Sequence, residues 1–264
     1  MAQIISIVNQ KGGVGKTTTS INLGAALAQL GKFVLLVDID PQANATSGIG
    51  VNWRELKTGV YQTIMGNASL RDVIMPTGRE HLSLAPATMD LAGSNVELVN
   101  MPNREMRLRE ALLEVRHDYD YILIDCPPSL GLLTLNGLVA ADKILIPVQA
   151  EYYALEGLGQ LISTIDLVRE NLRPDLLIGG AILTMFDSRN KLSGEVMQEL
   201  YKYFPQKIFR SVIPRTVKLA EAPSFGKTIF EYEPSGKGAS AYERLAWEVV
   251  EVLEAGEVGI AVAS

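Results

Sequence analysis

The segment Gln10-Lys11-Gly12-Gly13-Val14-Gly15-Lys16-Thr17-Thr18 packs three glycines, two lysines and two threonines into nine residues. Before it, Gln3-Ile4-Ile5-Ser6-Ile7-Val8-Asn9 is apolar, β-branched and short, which predicts a buried strand. After it, Thr19 to Leu30 places apolar residues at helical spacing, and Gly31 stands where a helix would end. Strand, glycine turn and helix are together the setting of a phosphate-binding loop. Without side chains at Gly12, Gly13 and Gly15, backbone N–H groups can close around phosphate oxygens, and the helix N-terminus adds unpaired donors and positive dipole. In that setting Lys16 supplies a point charge to β- and γ-phosphates, and Thr17 a hydroxyl to Mg²⁺.

The loop departs from the general G-x-x-x-x-G-K-[ST] pattern in one place. Its first glycine position is Gln10, and a second lysine, Lys11, follows beside Gly12. An ordinary tight turn between strand and helix explains a lone glycine pair. It does not explain Gly-Lys-Thr-Thr with correct flanks and an added lysine.

Composition narrows the rest. A chain of 264 residues, 47% hydrophobic and 20% charged, suits one large α/β domain spanning 1–264 and argues against disorder. No apolar run reaches the ~18–20 residues needed to span a bilayer, and no export signal is visible. One cysteine, Cys126, can form neither an internal disulfide nor a cysteine metal cluster, which fits a reducing cytoplasm. The net charge of −6 argues against a uniformly basic nucleic-acid binder while allowing a local basic patch.

Further along, Phe33 to Asp38, Leu82 to Ala85, Tyr121 to Asp125, Lys143 to Val148 and Leu176 to Met185 read as buried strands, with a last short one from Ile208 to Ile213. Ala45 to Gly59 reads as loop. Leu70 to Met75 reads as a short helix stopped by Pro76 and Gly78, and Asp90 to Val115 as two helices broken near Pro102. Helices are expected over Gly131–Ala140, Leu155–Asn171, Gly194–Phe204 and Gly236–Leu253. Alternating βα units predict a doubly wound, mainly parallel sheet flanked by helices.

Carboxylates stand at two strand ends. Asp125 occupies the place of the Mg²⁺-side acid of P-loop folds, although a strand-end aspartate also serves as a turn or cap residue. Asp38 and Asp40 leave a neighbouring strand at the same edge. Hydrolysis needs a group that orients or deprotonates water; Asp40, at the start of the following loop, is the better candidate, with Asp38 structural or in the outer shell of the metal.

Lys11–Thr18, Asp-Ile-Asp-Pro-Gln-Ala-Asn (Asp38 to Asn44) and Ile-Asp-Cys-Pro-Pro (Ile124 to Pro128) resemble the deviant Walker ATPases of the ParA/MinD group. Val-Ile-Pro-Arg (Val212 to Arg215) and Glu-Ala-Pro-Ser-Phe-Gly-Lys (Glu221 to Lys227) narrow the resemblance to the chromosomal ParA, or Soj, branch. The resemblance covers essentially the whole chain. It implies an ATPase that forms an ATP-sandwich homodimer, binds double-stranded DNA without sequence preference, and is stimulated by a ParB-type centromere-binding protein. Carried onto this sequence, Lys11 becomes the signature lysine that reaches the partner subunit's phosphates, and Gly12 must stay small because that subunit approaches. Asp40 orients water, and Thr17 and Asp125 serve Mg²⁺. Lys11, Gly12, Gly13, Val14, Gly15, Lys16, Thr17 and Thr18 hold ATP, and Pro214 packs on adenine. Where many relatives carry asparagine this chain has Thr216, which leaves a base contact there open.

Between Arg189 and Lys227 stand eight basic residues (Arg189, Lys191, Lys202, Lys207, Arg210, Arg215, Lys218, Lys227) against Glu195, Glu199 and Glu221, a surplus of five. A charged, solvated face has the same composition. The resemblance assigns DNA binding to Arg189 and Arg215, with Lys218 nearby. MinD-like relatives end in a basic amphipathic helix that lies on lipid, whereas the tail from Glu254 to Ser264 has no lysine or arginine, so no membrane attachment is expected. The start at the first strand likewise leads to no expectation of an N-terminal helix-turn-helix extension, and the protein is expected on the nucleoid. An ATP-switched regulator with little hydrolysis is the alternative reading.

Overall fold

A computed structural model describes residues 1–151, 157–187, 189, 196, 198, 200–205 and 207–254. The start of the helix expected from Leu155, much of the helix expected over Gly194–Phe204, the charges of Lys191, Glu195 and Glu199, and the tail beyond Glu254 lie outside the described residues.

Seven strands form one sheet: β1 (Gln3–Ile7), β2 (Val34–Asp38), β3 (Met75–Arg79), β4 (Leu82–Ala85), β5 (Tyr121–Asp125), β6 (Lys143–Gln149) and β7 (Leu177–Thr184), in the order β3-β4-β2-β5-β1-β6-β7. All pairings are parallel except β3 with β4. Central strands are apolar throughout because both faces are covered. On β5, Ile122 and Ile124 face one hydrophobic layer while Tyr121 and Leu123 face the other. Helix α1 (Lys16–Gln29) and the C-terminal helix Lys237–Glu254 cover the second face. Helices Arg107–Leu113, Leu132–Ala140 and Leu158–Asn171 cover the first. From β1 the chain winds one way through β2 and β4, and later the other way through β6 and β7. The β1–α1 loop therefore sits where the winding reverses, the position at which open α/β sheets hold ligands.

Four sequence expectations change. Part of the expected 45–59 loop is helix α2 (Asn44–Gly48), because buried Asp38 accepts both the N–H (2.8 Å) and the hydroxyl (2.7 Å) of Thr46. Pro76 and Gly78 lie not beyond a helix but inside β3, where an edge strand tolerates a residue without an N–H. The region 89–100 forms short turns rather than a full helix, with Gly93 and Pro102 interrupting it, and regular helix returns at Arg107. Residues 208–213 run alongside β7, bonded through Phe209 N–H to Ala181 and Ile213 N–H to Leu183, but make isolated bridges instead of a strand.

Gly137, on helix Leu132–Ala140, lets that helix sit tightly against Ser6 of β1 and the segments just beyond β5 and β2. A Cβ there would lie 2.7 Å from Cys126 Sγ and 3.1 Å from Ile39 Cδ1, both fully buried. Replacing it by alanine gains helix propensity of at most about 1 kcal/mol and loses about 1–3 kcal/mol to overpacking. Gly137→Ala should thus lower stability by roughly 1–2 kcal/mol with an unchanged denaturant slope in urea unfolding; an unchanged or higher midpoint would refute the close contact.

Candidate nucleotide site

The loop after β1 turns through Gly13 (φ 74°) and Gly15 (φ 88°), left-handed conformations that side chains resist, and hands the chain to α1 at Lys16. Gly12 differs. Its φ is not left-handed, and a Cβ there would meet nothing of this chain within 4 Å. Neither its backbone conformation nor its packing within the chain requires a glycine at this position.

Within the loop, Lys16 is nearly buried and its Nζ donates to the Lys11 carbonyl (3.1 Å). One turn of α1 aims two hydroxyls at a single carboxylate: Thr17 Oγ1 donates to Asp125 Oδ2 (2.8 Å) and Ser20 Oγ to Asp125 Oδ1 (2.7 Å). Ser20 is absent from the sequence-derived set, yet its spacing of three from Thr17 places both on one helix face and made it findable. Asp38 holds Thr46 and accepts the Asp40 N–H (3.1 Å), so it organises the loop that carries Asp40. Asp40 in turn accepts the Gln42 N–H (2.9 Å). That loop contains Ala43 at φ 52°, a strained geometry for a residue with a side chain, held by complete burial.

Electrostatically the site carries too much negative charge for its burial. Burial pushes the Asp38 carboxyl up, and the Asp125 charge pushes it further. Burial likewise raises Asp125, with Ser20 and Thr17 opposing and Asp40 adding to the rise. Burial lowers Lys16 while Asp125, Cys126 and Asp40 oppose that fall. Crowded carboxylates beside hydroxyl donors suit a divalent cation that keeps several waters and binds phosphate oxygens. No cluster of three metal-ligating His, Cys, Asp or Glu exists among the described residues, so a protein-only cage is not what these donors build.

Two clefts adjoin here. One, of about 470 Å³, is lined by Gly12, Gly13, Gly15, Lys16, Thr17, Thr18, Asp40 and Pro128, with Asn44, Ser47, Pro223 and Ser224 closing it. The other, of about 370 Å³, is lined chiefly by Met185, Ile213, Pro214, Thr216, Val217, Leu219 and Tyr242. They share Gly15, Thr18 and Met185. A polar cleft at a helix N-terminus, continuous with a largely apolar slot, matches a phosphate chain joined to a flat base. Pro214 and Thr216 both line the slot. Thr216 Oγ1 also accepts the Lys218 N–H (3.3 Å), capping helix Val217–Glu221.

Supports that no local pattern announces come from distant chain segments. Thr184 donates to the Val14 carbonyl (2.7 Å), Tyr242 pairs its hydroxyl with Thr19 (3.2 Å), and Asn22 accepts the Ile229 N–H (2.7 Å).

The basic residues of the 189–227 stretch are less free than their count suggests. Arg189 forms a two-pronged pair with Asp187 (2.9 and 2.7 Å), and Arg215 meets Glu151 at 2.6 Å. Arg210 is bonded to Glu248 and Glu251, and Lys218 to Glu221 (3.0 Å). Asp187, Glu151, Glu248 and Glu251 lie beyond the window counted in the sequence, so the local surplus of five shrinks in three dimensions. Asp187 is held down to about 2, first by the Arg189 side chain, and Arg215 contributes.

Residues 2–178 match the family described as an AAA domain. Over 249 residues the chain is 55% identical to the sporulation initiation inhibitor protein Soj of Bacillus subtilis (strain 168), covering 94% of this chain and 98% of the relative. It is 52% identical over 250 residues to the chromosome partitioning protein ParA of Myxococcus xanthus (strain DK1622), covering 95% and 88%. Among solved structures, a cobyrinic acid a,c-diamide synthase from Mycobacterium smegmatis with bound ADP and magnesium superposes with a TM-score of 0.88 at 35% identity, over 100% of both chains. Half the residues being shared over nearly the full length with Soj and ParA, against a third with the synthase, the chain belongs to the ParA/Soj family of chromosome-partitioning ATPases.

Proposed function

We propose that residues 1–264 act as one ATPase domain whose ATP-bound form pairs with a second copy, binds double-stranded DNA on the nucleoid without sequence preference, and is released by hydrolysis stimulated by a ParB-type centromere-binding partner. The observation that carries the reading is the convergence of Lys16, Thr17 and Asp40 on one cleft that continues into an apolar slot, with the buried Asp125 carboxylate directly behind Thr17.

In this reading Gly12 to Thr18 wrap the phosphates with backbone N–H groups while Lys16 offsets their charge. The base lies against Pro214, with Thr216 beside it. Thr17 and Asp125 hold the Mg²⁺ side; the ion, when bound, neutralises charge that develops on the phosphate oxygens. Asp40 orients a water and accepts its proton as the water oxygen bonds to the γ-phosphorus. The bond from that phosphorus to the bridging oxygen breaks, and ADP and phosphate leave. Lys11 reaches the phosphates bound by the second copy, where a lysine supplied in trans offsets the charge of two facing nucleotides. Slow turnover without a partner suits a timer, and a dimer doubles the DNA face, so affinity for DNA follows ATP through avidity.

The membrane alternative calls for a basic amphipathic helix lying on lipid, and the segment Glu254–Ser264 carries no lysine or arginine.

Three tests follow the cycle. Asp40→Ala should cut phosphate release about 100-fold or more while ATP affinity stays within a few-fold, measured by steady-state turnover and nucleotide titration; undiminished turnover would remove Asp40 as the water-orienting group, and no turnover by the wild type with DNA and a ParB-type partner would leave the ATP-switched regulator. Gly12→Val should bind ATP but remain monomeric by light scattering, since a side chain there strikes nothing in its own chain; a normal ATP-dependent dimer would refute the sandwich. Arg189→Glu should weaken DNA binding about tenfold or more at low salt with dimerisation intact, whereas Asp187→Asn, which frees the same arginine, should tighten it several-fold in the same anisotropy titration. Unchanged binding in both would move the DNA face elsewhere.

A further inference from the structure

The Lys11 peptide is fixed from both sides. Asn9 Oδ1 accepts the Lys11 N–H (3.0 Å) in a side-chain turn, and the Lys11 carbonyl accepts from Lys16 Nζ (3.1 Å). The other end of the same carboxamide, Asn9 Nδ2, donates to the Pro147 carbonyl on β6 at 2.7 Å, and Asn9 is 3% exposed. Next to it, Gln10 reaches Gln160 on helix Leu158–Asn171 (2.7 Å). Residues 9 and 10 are thus moored to two different elements of the fold.

Lys11 breaks that pattern. Among the described residues its ammonium has neither a hydrogen bond nor an ion pair, and the neighbouring Gly12 faces open space. A clamped backbone carrying an unengaged cation is suited to hold that cation toward something outside the protomer. Lysine has a long, flexible stem whose ammonium can occupy many positions, so fixing the peptide from which it leaves narrows the region that the ammonium can reach.

We propose that Asn9 is a positioning residue for Lys11: its carboxamide, braced on Pro147, sets the direction in which the lysine leaves the loop toward phosphates held by a second copy of the chain. The inference rests on the reading of Lys11 given above and adds what makes that lysine effective. A carboxamide suits the task because it offers one acceptor and one donor in a rigid plane, and here both are used. A serine keeps an acceptor for the Lys11 N–H but has no reach to Pro147. An alanine leaves both backbone groups unpaired at a buried site.

The test is a double-mutant cycle on phosphate release by the full chain with saturating ATP, Mg²⁺ and double-stranded DNA. Asn9→Ala should lower kcat about 10–100-fold, the scale set by misplacing a reacting group by about 1 Å, with KM for ATP changing less than about threefold. Lys11→Ala should show a comparable loss, and the double variant should be no slower than Lys11→Ala, because Asn9 has nothing left to aim. Asn9→Ser should fall between wild type and Asn9→Ala. A purely structural Asn9 would raise KM, or its loss would multiply with that of Lys11→Ala; either result overturns the inference. If Asn9→Ala does not fold, Asn9→Ser decides: a kcat loss that vanishes in the Lys11→Ala background supports the inference, and no loss or a multiplying one refutes it. Wild-type turnover in Lys11→Ala removes the reading of Lys11 itself, whereas a slow Lys11→Ala beside a fast Asn9→Ala removes the role of Asn9 alone.

Discussion

Asp125 has no exposure to solvent at the end of the central strand of the sheet. A carboxylate taken that far from water is unfavourable unless donors and opposite charge surround it. Thr17 and Ser20 supply the donors, Lys16 the charge, and all three belong to the first turns of α1. Satisfying Asp125 therefore fixes where α1 begins, and with it the path of the glycine loop. Asp38, equally buried one strand away, does the same for the loop carrying Asp40 by binding Thr46. Two buried carboxylates thus anchor the two loops that face each other across the cleft. They remain mutually repelling, and the site is arranged to accept positive charge.

Much of this was legible in the sequence because the signals are local. The β1 strand, the glycine loop and α1 follow in order, and apolar strands ending in aspartate mark Asp38 and Asp125. The misreadings share a physical cause. Helix α2 is stabilised by a carboxylate from the previous strand, β3 is a short edge strand that accommodates Pro76, and the 208–213 ribbon has too few regular bonds to be a strand. Each depends on partners from another segment. The same holds for Thr184, Tyr242 and Asn22, which buttress the loop from distant parts of the chain.

Counting charges along the sequence overstates how free the basic stretch is. A window in sequence sees Arg189, Arg210, Arg215 and Lys218 as a surplus, whereas the fold brings Asp187, Glu151, Glu248 and Glu251 against the three arginines. Apart from the buried Glu248, which also accepts the Arg210 and Ser211 N–H groups, these pairs are largely exposed and each contributes little to stability. Their effect is to make any anion that approaches Arg189 or Arg215 compete with a carboxylate already in place. Exchange of one acceptor for another is sensitive to salt and to avidity, two properties that suit reversible attachment.

The margins of the sheet bear on whether a further strand can extend it. At one side β3 is five residues long, irregular between Pro76 and Arg79, and short of a donor at its proline. At the other side the Ala181 N–H on β7 already donates to the Lys207 carbonyl, and the Ala181 carbonyl already accepts the Phe209 N–H. A blunted margin and a covered one discourage a foreign strand from extending the ladder. Open-ended strand addition, which has no natural stopping point, is thereby disfavoured at both margins of the sheet.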